Sequence, residues 1–474
     1  MRVALVVPNS KLSLNTSCPP LNFGYLASYL RENSNVDVKI FDGAVTKNIE
    51  KNILNWNPNI AGLTATTPLA QESYKLSDTL RENKIYTIMG GVHPSCLPSE
   101  AIEHCNCVII GEGETVLLEL VKNHFPGITR FFSNKKKIIH GKPILNLDTI
   151  PSPAYDLLDI EAYMKTTDNP SQAFPFGLKH ARLGSLITSR GCPWKCIFCH
   201  NSFRSTPPRW HSANRVVDEV TYFIEHYNAN SIFFVDDEFA VNKKRLKEIS
   251  VLFKEYGIDK KIVWGCQARA TTLDYETMKL MKGCGCKFVS VGFESANQRV
   301  LSLLKNNTIT VKQNEQVLLD AKHAGMMVGG SFIFGTPTEN KKEMLETLAF
   351  MENHDELAFM GVNVIIPYPF TKVWEICMEN GLLPKKLDYT KLVPTSNANN
   401  TYVVCNTMNE KEFKKLVNDI QRIASVTQKI RLIYKSSKMP LRDFVGLFKH
   451  KFYWHFAVKH PLRLWNLFRK VIQK

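Results

Sequence analysis

The sequence predicts an α/β protein in which two blocks of alternating strands and helices are followed by a helical C-terminal region. Short apolar runs interleave with amphipathic segments over residues 1–133, and the same alternation resumes over residues 181–385. Between them, residues 134–180 are a proline-containing connector with few periodic positions, and residues 386–474 form a helical, basic end. A chain of 474 residues with 44% hydrophobic content has room for about three domains with buried cores.

The first block predicts a parallel, doubly wound sheet. Its candidate strands are 3–7, 36–41, 60–64, 85–89 and 108–110, and its candidate helices are 23–31, 71–83 and 115–123. Ligands bind such sheets beyond the carboxyl ends of the strands. The candidate ligand contacts at those ends are small or turn-forming, and they include Thr66, Gly90, Gly91, Glu112 and Gly113. Glycines at these points let a flat cofactor approach the backbone.

A nicotinamide dinucleotide is disfavoured as that ligand. The run Gly111-Glu112-Gly113 lacks the third glycine of the dinucleotide fingerprint, and it does not follow the first strand.

The second block predicts a partial (β/α)6 barrel. Its candidate strands are 185–188, 231–235, 262–266, 288–291, 328–334 and 362–366. Because chemistry in such barrels collects at the carboxyl ends of the strands, the polar residues that follow each strand are the candidate site.

Three cysteines, Cys192, Cys196 and Cys199, are the strongest functional signal in the chain. Thiolates at this spacing can bind three irons of a [4Fe–4S] cluster and leave the fourth iron open. The alternative is a zinc site with His200 as fourth ligand. Zinc sites usually pair two ligand loops a dozen or more residues apart, and adjacent Cys199 and His200 would struggle to point at one tetrahedral ion.

The spacing C-x3-C-x2-C, with Phe198 before the last cysteine, resembles the radical S-adenosylmethionine (SAM) enzymes. The resemblance implies that the open iron binds SAM, that the segment at Phe198 lies near the adenine, and that reductive cleavage of SAM gives a 5′-deoxyadenosyl radical. It also implies a reduced flavodoxin- or ferredoxin-type protein as electron donor.

The resemblance extends to polar residues after the later strands. The implied SAM contacts are Asp236, Asp237, Glu238, Gln267, Arg269, Glu294 and Ser295. The 236–238 run matches a segment near the SAM ammonium, Arg269 could pair with the SAM carboxylate, and Glu294-Ser295 match a G-x-E-S pattern. The alternatives are a solvated or helix-capping cluster at 236–238 and a rim salt bridge at Arg269. Relatives often carry a glycine where this chain has Phe370.

The first block resembles the cobalamin-binding domain that precedes many radical SAM cores. The resemblance is carried by the runs GGVHPS at 90–95 and IIGEGE at 109–114. The D-x-H-x-x-G run that supplies a histidine to cobalt in many corrinoid proteins is missing, so the corrinoid would be held without a protein imidazole, or the domain has lost its cofactor. His93 is interpreted as a surface histidine whose hydrogen bonds are satisfied within a turn, or as one that supports a ligand contact from behind, rather than as a cobalt ligand.

Together the resemblances imply cobalamin-dependent methylation of an unactivated carbon in a small-molecule substrate. The alternatives are radical cyclisation or rearrangement without methyl transfer, and a non-catalytic iron–sulfur sensor or binding protein. A sensor would have no need of a SAM pocket.

The distribution of the cysteines indicates a reducing, cytoplasmic setting. The twelve cysteines are scattered through a long chain, and the N-terminal apolar run is too short for a signal peptide. Cys105 with Cys107, and Cys284 with Cys286, are predicted to be core thiols.

The charge is concentrated at the end of the chain. Residues 429–474 contain twelve Lys or Arg, with aromatic residues interleaved, and one acid, Asp443, within a chain of net charge +16. The composition favours peripheral contact with a membrane surface, which would suit a hydrophobic substrate. A helical cap with a solvated charged face is the main alternative, and nucleic acid is a less favoured one.

Overall fold

The computed structural model describes residues 1–9, 18–122, 137–166, 178, 180–203, 206–393 and 398–437. The chain divides into two compact units. Unit 1 comprises Met1–Ala268, Lys279–Lys287 and Ile366–Val393, and unit 2 comprises Arg269–Met278, Phe288–Ile365 and Pro394–Lys474. The predicted α/β class with parallel sheets is confirmed.

Unit 1 begins with a six-stranded parallel sheet in the order β2-β1-β3-β4-β5-β6. Its strands are β1 (Arg2–Val7), β2 (Asp37–Asp42), β3 (Ile60–Thr64), β4 (Tyr86–Gly90), β5 (Cys107–Ile110) and β6 (Lys137–His140). Its helices are α1 (Leu21–Asn33), α2 (Ile49–Trp56), α3 (Ala70–Glu82), α4 (Val92–Cys96), α5 (Pro98–Ala101) and α6 (Glu114–Lys122).

Both faces of this sheet are covered, as a parallel sheet requires. Leu5 of β1 packs in one core with Phe23 of α1, whereas the adjacent Val6 packs in a second core with Ile53 of α2 and Tyr74 of α3. The alternation of side chains along a buried strand therefore explains the near-continuous apolar runs of this block.

The sixth strand lies in the stretch predicted to be a connector. Lys137–His140 pairs in parallel with β5, from Cys107↔Lys137 to Ile110↔His140. Four residues of which only two are apolar are too few for a periodicity signal, so the sequence did not indicate this strand.

The rest of unit 1 carries a second set of parallel strands, in which β10 pairs with both β7 and β11. The elements here are α7 (Ile160–Thr166), β7 (Leu183–Leu186), β8 (Ser189–Arg190), β9 (Arg209–Trp210), α8 (Ala213–Tyr227), β10 (Ser231–Phe234), α9 (Lys243–Glu255), α10 (Ile258–Lys261) and β11 (Val263–Ala268). An aromatic core supports the strands, with Phe234 stacked on Phe239 at 4.6 Å between ring centroids and Trp264 edge-on to Phe234.

Unit 2 contains three parallel strands, with β13 paired to β12 and β14. The remaining strands and α-helices of the described residues are α11 (Tyr275–Lys282), β12 (Cys286–Glu294), α12 (Gln298–Leu304), α13 (Val311–Ala324), β13 (Met327–Phe334), α14 (Lys341–Asn353), β14 (Leu357–Val364), α15 (Lys372–Glu379) in unit 1, and α16 (Glu410–Ser437). Capping boxes at Thr310/Gln313 and Asn340/Glu343 begin α13 and α14.

The long helix α16 buries one face in unit 2, through Phe413, Val417, Ile420 and Ala424. Arg431, near the start of the basic tail, is also buried: its guanidinium donates to the Glu352 carbonyl at 2.8 Å and pairs with Asp355 at 3.2 Å. This part of the tail packs as a helical cap does. Most of the tail, residues 438–474, lies outside the described residues, and so do the membrane and nucleic-acid predictions that depend on it.

No helix within the described ranges is both long enough and apolar enough to cross a lipid bilayer.

Candidate functional site

A cavity of about 640 Å³ in unit 1 opens at the carboxyl ends of β1, β3, β4 and β5. All five residues predicted at these strand ends line it: Thr66, Gly90, Gly91, Glu112 and Gly113. Its other side is formed by residues around the cysteine motif and after β10, which include Ser189, Arg190, Gly191, Asn201, Asp236 and Asp237. One cavity thus receives both the strand ends of the first sheet and the start of the cysteine loop.

Gly91 fixes the floor of the cavity where β4 passes into α4. Its φ is +97°, and a Cβ built there would lie 2.7 Å from Thr64 Oγ1 and 3.2 Å from the Ala65 carbonyl oxygen. Only glycine adopts this backbone without strain. The bare backbone at Gly90-Gly91 leaves the cavity wall open to a large flat ligand.

Glu112 lies at the edge of the cavity in a network of charges. Its carboxylate pairs with Arg190 at 3.2 Å and accepts two hydrogen bonds from Arg209, one of them at 3.1 Å. Burial alone would raise the pKa of Glu112, but the two guanidinium groups hold that pKa below its usual value.

The cysteine motif lies on one loop between β8 and β9, two short strands that pair antiparallel. Gly191, with φ of +89°, turns the chain into the loop, and the Cys199 N–H donates to the Cys196 carbonyl at 3.1 Å. Cys196 is buried, whereas Cys192, Cys199 and Phe198 are half-buried. The Val373 N–H at the start of α15 donates to the Ile197 carbonyl at 3.2 Å, so α15 braces the loop.

The zinc alternative required His200 as a ligand. The structure places its Nδ1 3.2 Å from the Sγ of Cys96 in α4. Throughout the described part of the chain, no three His, Cys, Asp or Glu side chains are grouped so that they could hold a single metal ion.

Of the carboxylates after β10, Asp236 is fully buried and ties down the start of the loop. It accepts hydrogen bonds from the Thr188 N–H at 2.6 Å, the Ser189 N–H at 2.8 Å and the Thr188 hydroxyl. Burial raises the pKa of Asp236, and Arg245 acts in the opposite direction. Asp237 is exposed and lines the cavity, while buried Glu238 accepts from the Ala240 N–H at 3.1 Å.

The two predicted contacts at the end of β11, Gln267 within the strand and Arg269 directly after it, have different surroundings. Gln267 is exposed, and its backbone carbonyl accepts from the Phe239 N–H at 3.1 Å. Arg269, in unit 2, is buried and donates to the Thr308 hydroxyl. Their roles in SAM binding stay predictions.

Glu294 is the last residue of β12, and Ser295 follows it directly, both in unit 2. Glu294 has φ of +60° next to a register shift in the sheet, and its Oε1 accepts from Lys305 Nζ at 2.7 Å. The Ser295 hydroxyl lies 3.1 Å from that of Thr347 and accepts from the Asn297 N–H at 3.1 Å. Within unit 2 these side chains stabilise the end of the strand; their contact with SAM stays a prediction.

Sequence reasoning missed Arg190 and Arg209. Both flank the cysteine loop, in strands of two residues that are too short for any periodicity signal. The available signal was an arginine directly before Gly191-Cys192, matched by two glutamates in the GEGE run.

His93 is a buried histidine rather than a surface one. Its Nε2 lies 2.9 Å from the Tyr74 hydroxyl, and burial lowers its pKa to about 4. Cys105, Cys107, Cys284 and Cys286 are core thiols as predicted, and none of the chain's twelve cysteines, all within the described ranges, is in a disulfide.

Comparison with known proteins identifies both blocks. Residues 11–121 match the B12 binding domain, and residues 186–351 match the radical SAM superfamily. The chain is 34% identical over 408 residues to an uncharacterised methyltransferase of Pyrococcus horikoshii, covering 81% of this chain and 84% of the relative. It is 27% identical over 409 residues to the anaerobic magnesium-protoporphyrin IX monomethyl ester cyclase of Rubrivivax gelatinosus, covering 79% and 70%.

The fold is also that of a solved structure. The cobalamin-dependent SAM radical enzyme OxsB, with aqua-cobalamin and SAM bound, matches with a TM-score of 0.67 at 18% identity, covering 98% of this chain and 75% of OxsB.

The cofactors of the radical SAM domain are a [4Fe–4S] cluster and SAM, and the cofactor of the B12 binding domain is cobalamin. The residues present fit them. Cys192, Cys196 and Cys199 are three soft thiol donors on one short loop, which suits iron–sulfur ligation. The glycine-lined strand ends leave a bare backbone wall at the cavity for a corrinoid. The chain belongs to the cobalamin-binding radical SAM enzymes.

Proposed function

We propose that this enzyme methylates an unactivated carbon of a small-molecule substrate. When bound, the cluster with SAM supplies a 5′-deoxyadenosyl radical, and cobalamin supplies the methyl group. The protein must place both next to one substrate atom and exclude water.

The observation that carries the proposal is the shared cavity. The residues expected to hold the corrinoid and the start of the cysteine loop line the same cavity of about 640 Å³, with Gly91 at its floor and Gly191 on the side of the loop. Methyl transfer to a substrate radical needs the methyl donor and the site of radical formation to be close, because orientation and proximity lower the barrier.

Within this cavity we assign Asp237 to a polar contact with SAM or substrate, since it is the exposed carboxylate of the 236–238 run. Asp236 would act through the backbone at Thr188-Ser189, which it orients. Arg269, Glu294 and Ser295 are proposed as SAM-binding positions on the family pattern.

Radical cyclisation without methyl transfer is the second candidate. It is favoured by the similarity to the Rubrivivax cyclase, whereas methylation is favoured by the more similar Pyrococcus methyltransferase.

We further propose a reduced flavodoxin- or ferredoxin-type electron donor, a hydrophobic substrate and a reducing, cytoplasmic setting. Peripheral membrane contact through the basic tail is a separate proposal. Binding to anionic vesicles should be lost when residues 438–474 are deleted, and binding that persists would contradict it.

Anaerobic reconstitution tests the cofactors and the reaction class. The full chain should bind iron, sulfide and corrinoid, and should release 5′-deoxyadenosine from SAM on reduction. Cys196→Ala should abolish nucleoside release, and Cys18→Ser, which removes a thiol outside the motif, should not. An unimpaired Cys196→Ala variant would overturn the radical SAM assignment.

Methyl-labelled SAM separates methylation from cyclisation without knowledge of the substrate. With reduced cobalamin present, a methyltransferase should transfer the label to the corrinoid. Nucleoside release with no label on the corrinoid would favour cyclisation.

A further inference from the structure

We propose that Glu112, Glu114, Arg190 and Arg209 form a clasp that positions the cysteine loop against the corrinoid cavity, so that cluster assembly and cobalamin binding favour one another. The four are positioning residues, since they act through the loop and the cavity wall rather than on reacting atoms. The inference rests on the two cofactors and does not depend on whether the reaction is methylation.

The clasp joins two distant parts of unit 1. Arg190 pairs with Glu112 at 3.2 Å and with Glu114 at 2.6 Å, and Arg209 pairs with Glu112. The two arginines are cross-strand partners in the β8–β9 ribbon, at the base of the cysteine loop. The two glutamates lie in the turn after β5 and at the first residue of α6.

The four side chains of the clasp are largely buried, and their charges balance. No more than 19% of any of the four side chains is exposed, and the two positive charges match the two negative charges. Arg209 also donates to the Ile144 carbonyl at 2.5 Å, and the Ile144 N–H donates to Glu112 at 3.3 Å. Buried charges with several hydrogen-bond partners tolerate little displacement, because an unpaired buried charge is costly.

Tyr25 of α1 supports the clasp from a third side. The Arg190 guanidinium lies over its ring at 5.4 Å, and its hydroxyl donates to the Ile187 carbonyl at 3.1 Å. Arg190 is therefore fixed by an aromatic face as well as by two carboxylates.

Both ends of the clasp reach the cofactor positions. Arg190 is separated from Cys192 by Gly191 alone, and Arg190, Glu112 and Glu114 all line the cavity. A corrinoid that fills the cavity restrains the three side chains of the clasp that line it, and a cluster that orders the loop restrains the two arginines at the base of the loop. Arg190 belongs to both sets, and Glu112 links it to Arg209. The cofactor that binds first orders side chains that the second cofactor would otherwise have to order. The second cofactor therefore binds more tightly, which is positive coupling. By linkage, the coupling is reciprocal.

The test is a comparison of hydroxocobalamin affinity in two states of the full chain, iron-free and cluster-loaded, measured anaerobically by absorbance titration. In the wild type, the dissociation constant should fall by about five-fold or more when the cluster is present. In Arg190→Gln that ratio should approach one, and Arg190→Lys, which retains the charge, should restore part of it. The reduced cluster's EPR spectrum should respond to cobalamin in the wild type and not in Arg190→Gln.

The matched control is Arg215→Gln. It removes another low-exposure pair of unit 1, Arg215–Glu219 at 2.8 Å, that does not line the cavity, and it should leave the affinity ratio unchanged. If Arg190→Gln does not fold, the affinity ratio is measured in Glu112→Gln instead, a nearly isosteric change that removes the charge of Glu112. A wild-type ratio of one, or an unchanged ratio in the variant that is measured, would overturn the clasp. If the wild-type chain binds hydroxocobalamin neither in the iron-free nor in the cluster-loaded state, the cobalamin assignment itself is overturned.

Discussion

In both units, carboxylates lie at or just after the ends of buried strands, yet their surroundings differ. In unit 1, Glu112 is paired with two arginines brought from the base of the cysteine loop, and it faces a cavity. In unit 2, Glu294 forms a buried pair with Lys305, the residue that directly follows α12, and Glu339, after β13, is fully buried. The position of a carboxylate at a strand end therefore does not fix its surroundings, because the partner that the fold brings to it differs from one strand to the next.

Glu339 extends the contrast, since no Lys or Arg within the described ranges forms a salt bridge with its carboxylate. Its Oε2 accepts from the Gly335 and Thr336 N–H groups at 2.7 and 3.0 Å, and its Oε1 is buried with no hydrogen-bond partner in the part of the chain that the structure covers. Burial raises the pKa of Glu339 to about 8. The carboxyl is therefore largely protonated at neutral pH, whereas Glu112 is ionised.

The largest expected effect on stability comes from breaking the buried pair of Lys305 and Glu294 in unit 2. Lys305→Met should lower the free energy of unfolding by about 3–5 kcal/mol, because it leaves the buried Glu294 without its partner. Lys322→Met is the control: Lys322 is 63% exposed in its pair with Glu356, so the loss should be under about 1 kcal/mol. Denaturant unfolding measures both, and equal losses would remove the distinction between buried and exposed pairs.

The protonated carboxyl predicts a pH effect. Because the folded state holds the Glu339 proton up to about pH 8 while the unfolded chain releases it near its ordinary pKa of 4.5, this group's contribution to stability decreases as pH rises between those values. Relative to Glu339→Gln, the wild type should lose about 2–3 kcal/mol between pH 5.5 and pH 8. Parallel stability curves for the two proteins would show that Glu339 titrates normally.

Gly91→Ala tests whether the floor of the unit 1 cavity is needed for cobalamin binding. We expect a loss of about 2 kcal/mol in stability and weaker hydroxocobalamin binding, because the new methyl group would meet Thr64 at a backbone angle that favours glycine. Gly257→Ala, also at positive φ but with no atom within 4 Å, should cost about 1 kcal/mol and leave cobalamin affinity unchanged. Unchanged affinity in Gly91→Ala would contradict its place in the cavity floor.

The smallest effect concerns Phe370, which is 54% exposed and has φ of +64°. Phe370→Gly should stabilise the protein by about 0.5–1 kcal/mol, since glycine relieves the left-handed backbone. Phe370→Ala should give no such gain, because alanine keeps the strain. Thermal unfolding of the two variants checks this, and a gain for both would show that aromatic exposure, rather than backbone strain, dominates at this position.

Much of the architecture could be predicted from local pattern. Ten of the eleven strands predicted in the two blocks overlap observed strands by at least three residues, because buried parallel strands are near-continuous apolar runs; only 185–188, which β7 overlaps at two residues, is displaced. The exceptions are the elements without a repeating pattern, such as the four residues of β6 and the two-residue strands β8 and β9. The five residues predicted at the first sheet's strand ends all line the cavity.

By itself, the sequence determined the cysteine spacing, the strand–helix alternation and the glycines that require positive φ, since each is a property of residues near one another in the chain. Only the tertiary structure decided which charges meet. Glu112 and its two arginines are separated by 78 and 97 positions, and nothing in a local pattern specifies that pairing. The physical reason is that burial strengthens an ion pair only after the fold has removed both groups from water.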